Sequence, residues 1–341
     1  MKKAILLNDT SNEMHHGCNL VIKSIKKLLK KNNINLIYTI LSGSNWKEDF
    51  FFKKKIENKE VDIIIVNGEG TIHHNQENGQ LLVEVSKFAK QNSIISVLIN
   101  CAFSSNDSFY KVYLKNFSMI SVRENKSKQE LKLLGIDSKV VPDLSFYNDK
   151  YIPNNNKKNI LIGDSVIPKI TNYLLNFSIK NKYKFIPILT FYKIRLNKIK
   201  TFFGFFKFII LNIILRVNQS SNYSNYYLRF YGTYFTDSYF KIINSSKLLI
   251  TGRYHSICIA IMCRTPFISI SSNTFKIEEL LNDIGLNQKR NNLNLDELNK
   301  SIKMFQKFYN YEEYEIKNIK MFLNRTKKSI EDLFIEINLL K

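Results

Sequence analysis

Cysteine, proline and glycine are all scarce in this 341-residue chain, at four, five and eleven residues. The four cysteines (Cys18, Cys101, Cys258 and Cys263) show no CxxC spacing, so the sequence carries neither a disulfide framework nor a zinc or redox motif. So little proline and glycine excludes collagen-like and linker-rich architectures. Acidic residues are also short: 29 Asp and Glu face 51 Lys and Arg, a net charge of +22. No apolar run approaches the roughly 20 residues of a membrane-spanning helix. The most apolar stretch, residues 202–215, is broken by Lys207 and Asn212. The start, MKKAILLNDT, turns polar before it reaches the roughly 7–15 apolar residues of a signal peptide, and the expectation is a cytoplasmic protein.

What is present is enough to fold. At 44% hydrophobic residues the chain is too apolar to be largely disordered, and its length suits two domains, each with its own core. Between Ser165 and Thr236 all charged side chains are Lys or Arg. Apolar residues in a purely basic stretch are the composition of a helix lying on an anionic membrane surface. An ordinary core helix in a basic protein fits residues 202–215 as well. No recognisable nucleic-acid-binding motif accompanies the charge, so nucleic acid is not expected as a partner.

Short apolar runs alternate with amphipathic stretches. Strands are predicted at 3–7, 36–41, 61–66, 94–100, 119–122 and 138–141, with helices between them at 17–30, 81–90, 109–114 and 126–134. Gly135 reads as a helix C-cap. After a polar stretch at 148–158 the pattern restarts, with strands at 159–162, 184–189, 247–251 and 267–271 and a helical, charged tail at 295–340 that could cross back to the first domain. Such alternation means βαβ units and parallel sheets. The expectation is an α/β protein of two Rossmann-like domains facing a cleft, 1–150 and 151–341, with a basic, apolar helical insertion at 191–235 in the second.

Four segments carry chemistry-bearing residues. Asn67, Gly68, Glu69 and Gly70 follow a buried strand, where glycine lets backbone N–H groups approach an anion or sugar; a plain tight turn reads the same way. His16 and Gly17 sit at a helix start, where orphan N–H groups favour anions. Histidine pairs at 15–16 and 73–74 raise a metal site, but no carboxylate spacing supports one, and none is assigned. Arg123 ends a strand and can fork onto a carboxylate or phosphate, or pair with Glu124. Most informative is Gly252-Arg253-Tyr254-His255-Ser256, which sets a planar cation and a proton-transfer group at a strand's end beside a helix start. Lys276 follows the next strand as a point charge.

Taken together these segments resemble the polysaccharide pyruvyl transferase family. The resemblance runs through Val122-Arg123-Glu124, Ser127, Leu131, Gly135-Ile136, Val141-Pro142-Asp143, Gly252–Ser256, Pro266, Ser271 and Lys276. The residue between Arg253 and His255 is Tyr254 where leucine is usual, and His15-His16-Gly17-Cys18 stands where Asn-x-Gly-Asp is usual. The resemblance implies a GT-B-like fold and transfer of pyruvate from phosphoenolpyruvate to a glycan or lipid-linked sugar of a capsule or lipopolysaccharide precursor. Phosphoenolpyruvate is then the donor substrate, and no cofactor or metal is required. By position, Arg123, Arg253 and Lys276 would hold the donor, and His255 would act as general acid or base. The alternatives are a glycosyltransferase of the same fold using a CMP-, UDP- or GDP-sugar, with His16 or His255 as base, and a catalytically dead glycan- or membrane-binding scaffold. The insertion would keep the protein peripheral to the membrane carrying its acceptor.

Overall fold

The structure is a computed structural model, and it describes residues 1–148, 153–154, 157–190, 232–233, 235–270, 275–291, 308 and 310–341. The insertion at 191–235, with its 202–215 core, therefore falls almost wholly outside the described residues. The chain forms two units, one of Met1–Ile152, Thr274–Asn291 and Tyr311–Lys341, the other of Pro153–Asn273 and Asn292–Asn310. The first boundary falls within the polar stretch at 148–158. What differs from the expected division is that residues 274–291 and 311–341 belong to the first unit.

The first unit is built on strands β1 (Lys2–Asp9), β2 (Ile34–Leu41), β3 (Ile63–Glu69), β4 (Ile95–Cys101), β5 (Met119–Val122) and β6 (Lys139–Val140). They pair in parallel in the order β2-β1-β3-β4-β5-β6, the strand order reversing between β1 and β3. β3 is buried on both faces over its whole length, as its run of branched residues dictates. It also continues three residues beyond the predicted end at Val66, so Asn67, Gly68 and Glu69 are strand residues rather than loop.

One face of the sheet is covered by α1 (His16–Lys31) and by the long C-terminal helix at Glu313–Leu339. Val21, Ile25 and Leu28 of α1 share a core with Leu6, Ile65, Ile330, Phe334 and Ile337. The other face is packed by α2 (Phe50–Glu57), α3 (Glu77–Gln91), α4 (Lys111–Leu114) and α5 (Asn125–Leu133). Gly135 follows α5 at φ +70°, the left-handed stop expected of it. The start of the C-terminal helix is pinned by a two-pronged buried ion pair, Arg290 Nε and Nη2 to the Glu315 carboxylate at 2.8 and 2.7 Å. The apolar stripe of that helix, not its charged face, is what returns the chain to the first unit.

The second unit contains β7 (Lys158–Ser165), β8 (Lys184–Phe185), β9 (Ser246–Gly252) and β10 (Phe267–Ser269), parallel in the order β10-β9-β7-β8. Helices α6 (Pro168–Lys180), α7 (Thr236–Asn244) and α8 (Tyr254–Met262) belong to it. Here the strand order reverses between β7 and β9. Helix α9 (Lys276–Ile284) belongs to the first unit, as does the C-terminal helix, α10. Among the described residues no helix is long and apolar enough to cross a membrane.

Because Phe334 is fully buried against the first unit's sheet, Phe334→Ala is expected to cost about 3–5 kcal/mol. The readout is a fall in the urea midpoint of unfolding.

Candidate active site

Open parallel sheets place ligands outside the carboxyl ends of their strands, where the strand order reverses. Both clusters of candidate residues lie at such ends.

In the first unit the ends of β1, β3 and β4 hold a buried polar network. Asn8 donates to Asn67 O at 2.7 Å, and Asn67 Nδ2 donates to Asn8 O at 3.2 Å and to Glu69 Oε1 at 3.1 Å. Asn100 donates to Asn67 Oδ1 at 3.3 Å. Thr10 Oγ1 donates to Glu69 Oε1 at 2.6 Å, and Cys18 Sγ to Glu69 Oε2 at 3.5 Å. Burial, then the Glu69 charge, pushes the Cys18 thiol well above its ordinary range, so it stays a donor. Asn8, Glu69 and Asn100 have φ of 62°, 40° and 55°. Asn tolerates the left-handed region; a Glu there stores strain of about 1 kcal/mol or more, and the network holds it in place.

This network takes up Asn67. Gly68 is a packing glycine: a Cβ there would lie 2.7 Å from that of Cys101 on β4. His16 is buried at the first position of α1, and His15 Nδ1 accepts from the N–H groups of Gly17 and Cys18 at 3.1 and 3.4 Å. Those two donors, expected to await an anion, are thus satisfied within the protein. This corrects the reading of the α1 start, because a histidine cap does what Ser or Asp does elsewhere.

Gly70 is placed differently. A Cβ on it would lie 3.0 Å from Lys276 Nζ and 3.9 Å from Arg123 Nη2, so its backbone comes close to two cations. Arg123, 5% exposed, follows β5 and donates from Nη1 to Asp143 Oδ2 at 2.7 Å; its Nε lies 3.9 Å from Glu124. Asp143 is fully buried, and its other oxygen accepts from Ser145 N at 2.8 Å. Lys276 opens α9 and makes no ion pair among the described residues. Burial, then the charge of Arg123, draws its pKa down to about 8, although Glu124, Asp143 and Glu69 pull the other way. Burial likewise raises the Glu124 carboxyl above its usual range, against the charge of Arg123 and the hydrogen bond from Ser127. An incoming anion at Gly70 would keep Lys276 protonated to higher pH.

In the second unit Arg253 stands at the N-cap position of α8 and donates from Nε to Asp164 Oδ2 at 2.7 Å. Asp164, fully buried, also accepts from Ile188 N at 2.9 Å, and Thr251 Oγ1 donates to its backbone carbonyl at 2.9 Å. His255 lies half-buried in the first turn of α8. Ser256 is buried with its hydroxyl 2.9 Å from that of Tyr239, a contact internal to the unit. Lys276, expected beside Arg253 in the second domain, stands instead in the first unit beside Arg123, because α9 packs there. Asp143 and Asp164, which orient the two arginines, are not among the candidate site residues that the sequence pattern marks. The signal available was an Asp at or just past each strand's end, in Val141-Pro142-Asp143 and Gly163-Asp164-Ser165.

The profile of the polysaccharide pyruvyl transferase family matches residues 15–274. The chain belongs to that family. It is thus a transferase of polysaccharide biosynthesis. No curated protein matches it. Among solved structures it is similar to a Listeria monocytogenes protein described as a UDP-N-acetylglucosamine 2-epimerase, at 11% identity and TM-score 0.53, covering 98% of this chain and 97% of that one. The Neisseria meningitidis UDP-GlcNAc 2-epimerase bound to UDP-GlcNAc is similar at 12% identity and TM-score 0.49, covering 96% and 100% of the two chains. The Listeria likeness is one of fold, the GT-B type of two Rossmann-like domains. In this pyruvyl transferase family member Lys276 lies two residues past the matched range, so its place at the site rests on geometry.

An anion held by Lys276 binds its protonated form. Sulfate, whose charge is constant across the range, is expected to keep its affinity just below about pH 8, where Lys276 is protonated. Above it the affinity should fall by up to about tenfold per pH unit. Calorimetric titration reads this, and Lys276→Arg should flatten the profile.

Proposed function

We propose that this chain transfers the pyruvyl group of phosphoenolpyruvate onto two hydroxyls of a sugar in a cell-surface polysaccharide precursor, free or lipid-linked, to give a cyclic ketal. The observation that carries the reading is the approach of the Gly70 backbone to Arg123 and Lys276 in a chain that belongs to the pyruvyl transferase family. An arginine fixed by a buried aspartate and a lysine that gains from a negative neighbour suit a donor with a carboxylate and a phosphate.

The chemistry follows from the donor. Protonating the enol methylene places positive charge on C2, one sugar hydroxyl adds there, and a second displaces phosphate. One hydroxyl proton makes good the proton given to carbon, and the other leaves on phosphate, so no further reactant is needed. Preorganised cations stabilise the charge gathering on the departing phosphate. In this reading Arg123 and Lys276 supply two of them, while Arg253 and His255 keep the donor-holding and proton-transfer roles that the family resemblance implies. Asp143 and Asp164 keep the arginines oriented.

The second reading, a glycosyltransferase using a nucleotide-activated sugar, draws support from the fold shared with a protein described as a UDP-N-acetylglucosamine 2-epimerase. Thermal shift separates the two without knowledge of the acceptor. At 100 times its dissociation constant a ligand stabilises by about 2.7 kcal/mol, several degrees for domains of this size. The expected result is a shift with phosphoenolpyruvate, lost in Arg253→Ala, and none with CMP, UDP or GDP. A shift with one nucleotide and none with phosphoenolpyruvate would overturn the reading.

A further inference from the structure

A histidine pair with no role in the scheme above lies just past Gly70. The Nδ1 atoms of His73 and His74 are 2.9 Å apart, with the rings nearly perpendicular at 85°. At that distance one Nδ1 carries a proton and donates while the other accepts. The loop is clamped to the segment after β4: His74 N donates to Ser104 O at 3.0 Å and Ser104 N to Ile72 O at 3.3 Å. Asn75 and Asn106 fasten it again. Asn75 N donates to Asn106 Oδ1 at 3.0 Å, Asp107 N to Asn75 Oδ1 at 2.8 Å, and Asn106 Nδ2 to Ile72 O at 3.0 Å. His74 and Asn75 are consecutive left-handed residues, at φ 51° and 55°. Such a strained pair persists only where its surroundings over-determine it.

His73 is half-buried and His74 exposed. The charged groups acting on His73 are Lys276 from α9 and His74 from its own loop; the one ionisable residue of the facing segment 104–107, Asp107, donates its backbone N–H to Asn75. Burial first, then the charge of Lys276, then His74, hold His73 below the ordinary histidine range. It is therefore a neutral base near the cation pair of Arg123 and Lys276.

We propose that His73, oriented by His74, is a further proton-transfer residue of the site built on Gly70, Arg123 and Lys276, taking the proton of an acceptor hydroxyl. The proposal rests on the reading of that site as the donor site. With His73 Nδ1–H donating to His74 Nδ1, the basic nitrogen of His73 is Nε2. As the hydroxyl oxygen bonds to C2, its O–H bond breaks and the proton passes to Nε2. When the second hydroxyl displaces phosphate its O–H bond breaks in turn: its proton makes good the one given to the methylene carbon, the proton held on Nε2 leaves on the phosphate, and Nε2 is again free. Donor binding offsets the charge of Lys276, so His73 becomes the stronger base once the donor is in place.

The test is a pH titration of the histidine ring nitrogens by NMR in the full chain, with phosphoenolpyruvate as the probe and His73→Gln to assign the signal. Saturation with phosphoenolpyruvate is expected to raise the His73 midpoint by about half a pH unit or more. Lys276→Met should raise it without ligand. His74→Phe should alter which His73 nitrogen carries the proton, and an unchanged pattern would remove His74 as the positioning residue. Binding of phosphoenolpyruvate with the His73 midpoint unmoved would overturn the proposal and leave the donor site standing. Failure of phosphoenolpyruvate to bind would overturn the donor-site reading and the proposal with it.

Discussion

The buried ion pair of Arg123 and Asp143 is the contact on which the first unit's site depends. It joins the end of β5 to the turn after β6 through a 2.7 Å charge-assisted bond, with both groups almost wholly out of water. A guanidinium so held cannot swing out to solvent, and its charge is a fixed feature of the local field. Lys276, Glu124 and Gly70 are arranged around it, and the first two titrate as they do partly because of it. Removing one member of such a pair typically costs about 3–5 kcal/mol, because the other charge is left buried without its partner.

The second unit repeats the device with different parts. Asp164 is the penultimate residue of β7, Arg253 follows β9, and their 2.7 Å bond spans the point where the strand order reverses. Gly163 and Gly252 let the strand ends approach: a Cβ on either would lie 2.6 Å from a hydroxyl oxygen, that of Thr251 or of Ser165. In both units an arginine past the end of a parallel strand is oriented by a buried aspartate. Each pair fixes a cation where open α/β sheets receive ligands.

Much of this was legible in the sequence. The alternation of apolar runs and amphipathic stretches placed the strands, and β5 fell at 119–122 as read. Gly135 stopped α5 because only glycine takes φ +70° there without strain. The motifs around Arg123 and Arg253 pointed to the family that the profile confirms. What the sequence hid were contacts between residues far apart in the chain. Asp164 and Arg253 are 89 positions apart, and neither alone announces the pair. β3 runs past its expected end: Asn67, Gly68 and Glu69 are polar or small, and local propensity reads them as a turn. Only the neighbouring ends of β1 and β4, with Asn8 and Asn100, make them strand. Lys276 belongs to the first unit rather than the expected second domain for the same reason: the return of the chain is set by packing, which periodicity does not reveal.

The central claim is that the Arg123 and Lys276 cluster beside Gly70 receives the phosphate or carboxylate of phosphoenolpyruvate. A crystal structure of the full chain grown with phosphoenolpyruvate tests it most directly. The account predicts an anionic group of the donor within hydrogen-bonding distance of the Arg123 guanidinium and the Lys276 ammonium, with the Asp143 contact intact. Phosphoenolpyruvate bound elsewhere, with neither side chain touching it, would contradict it.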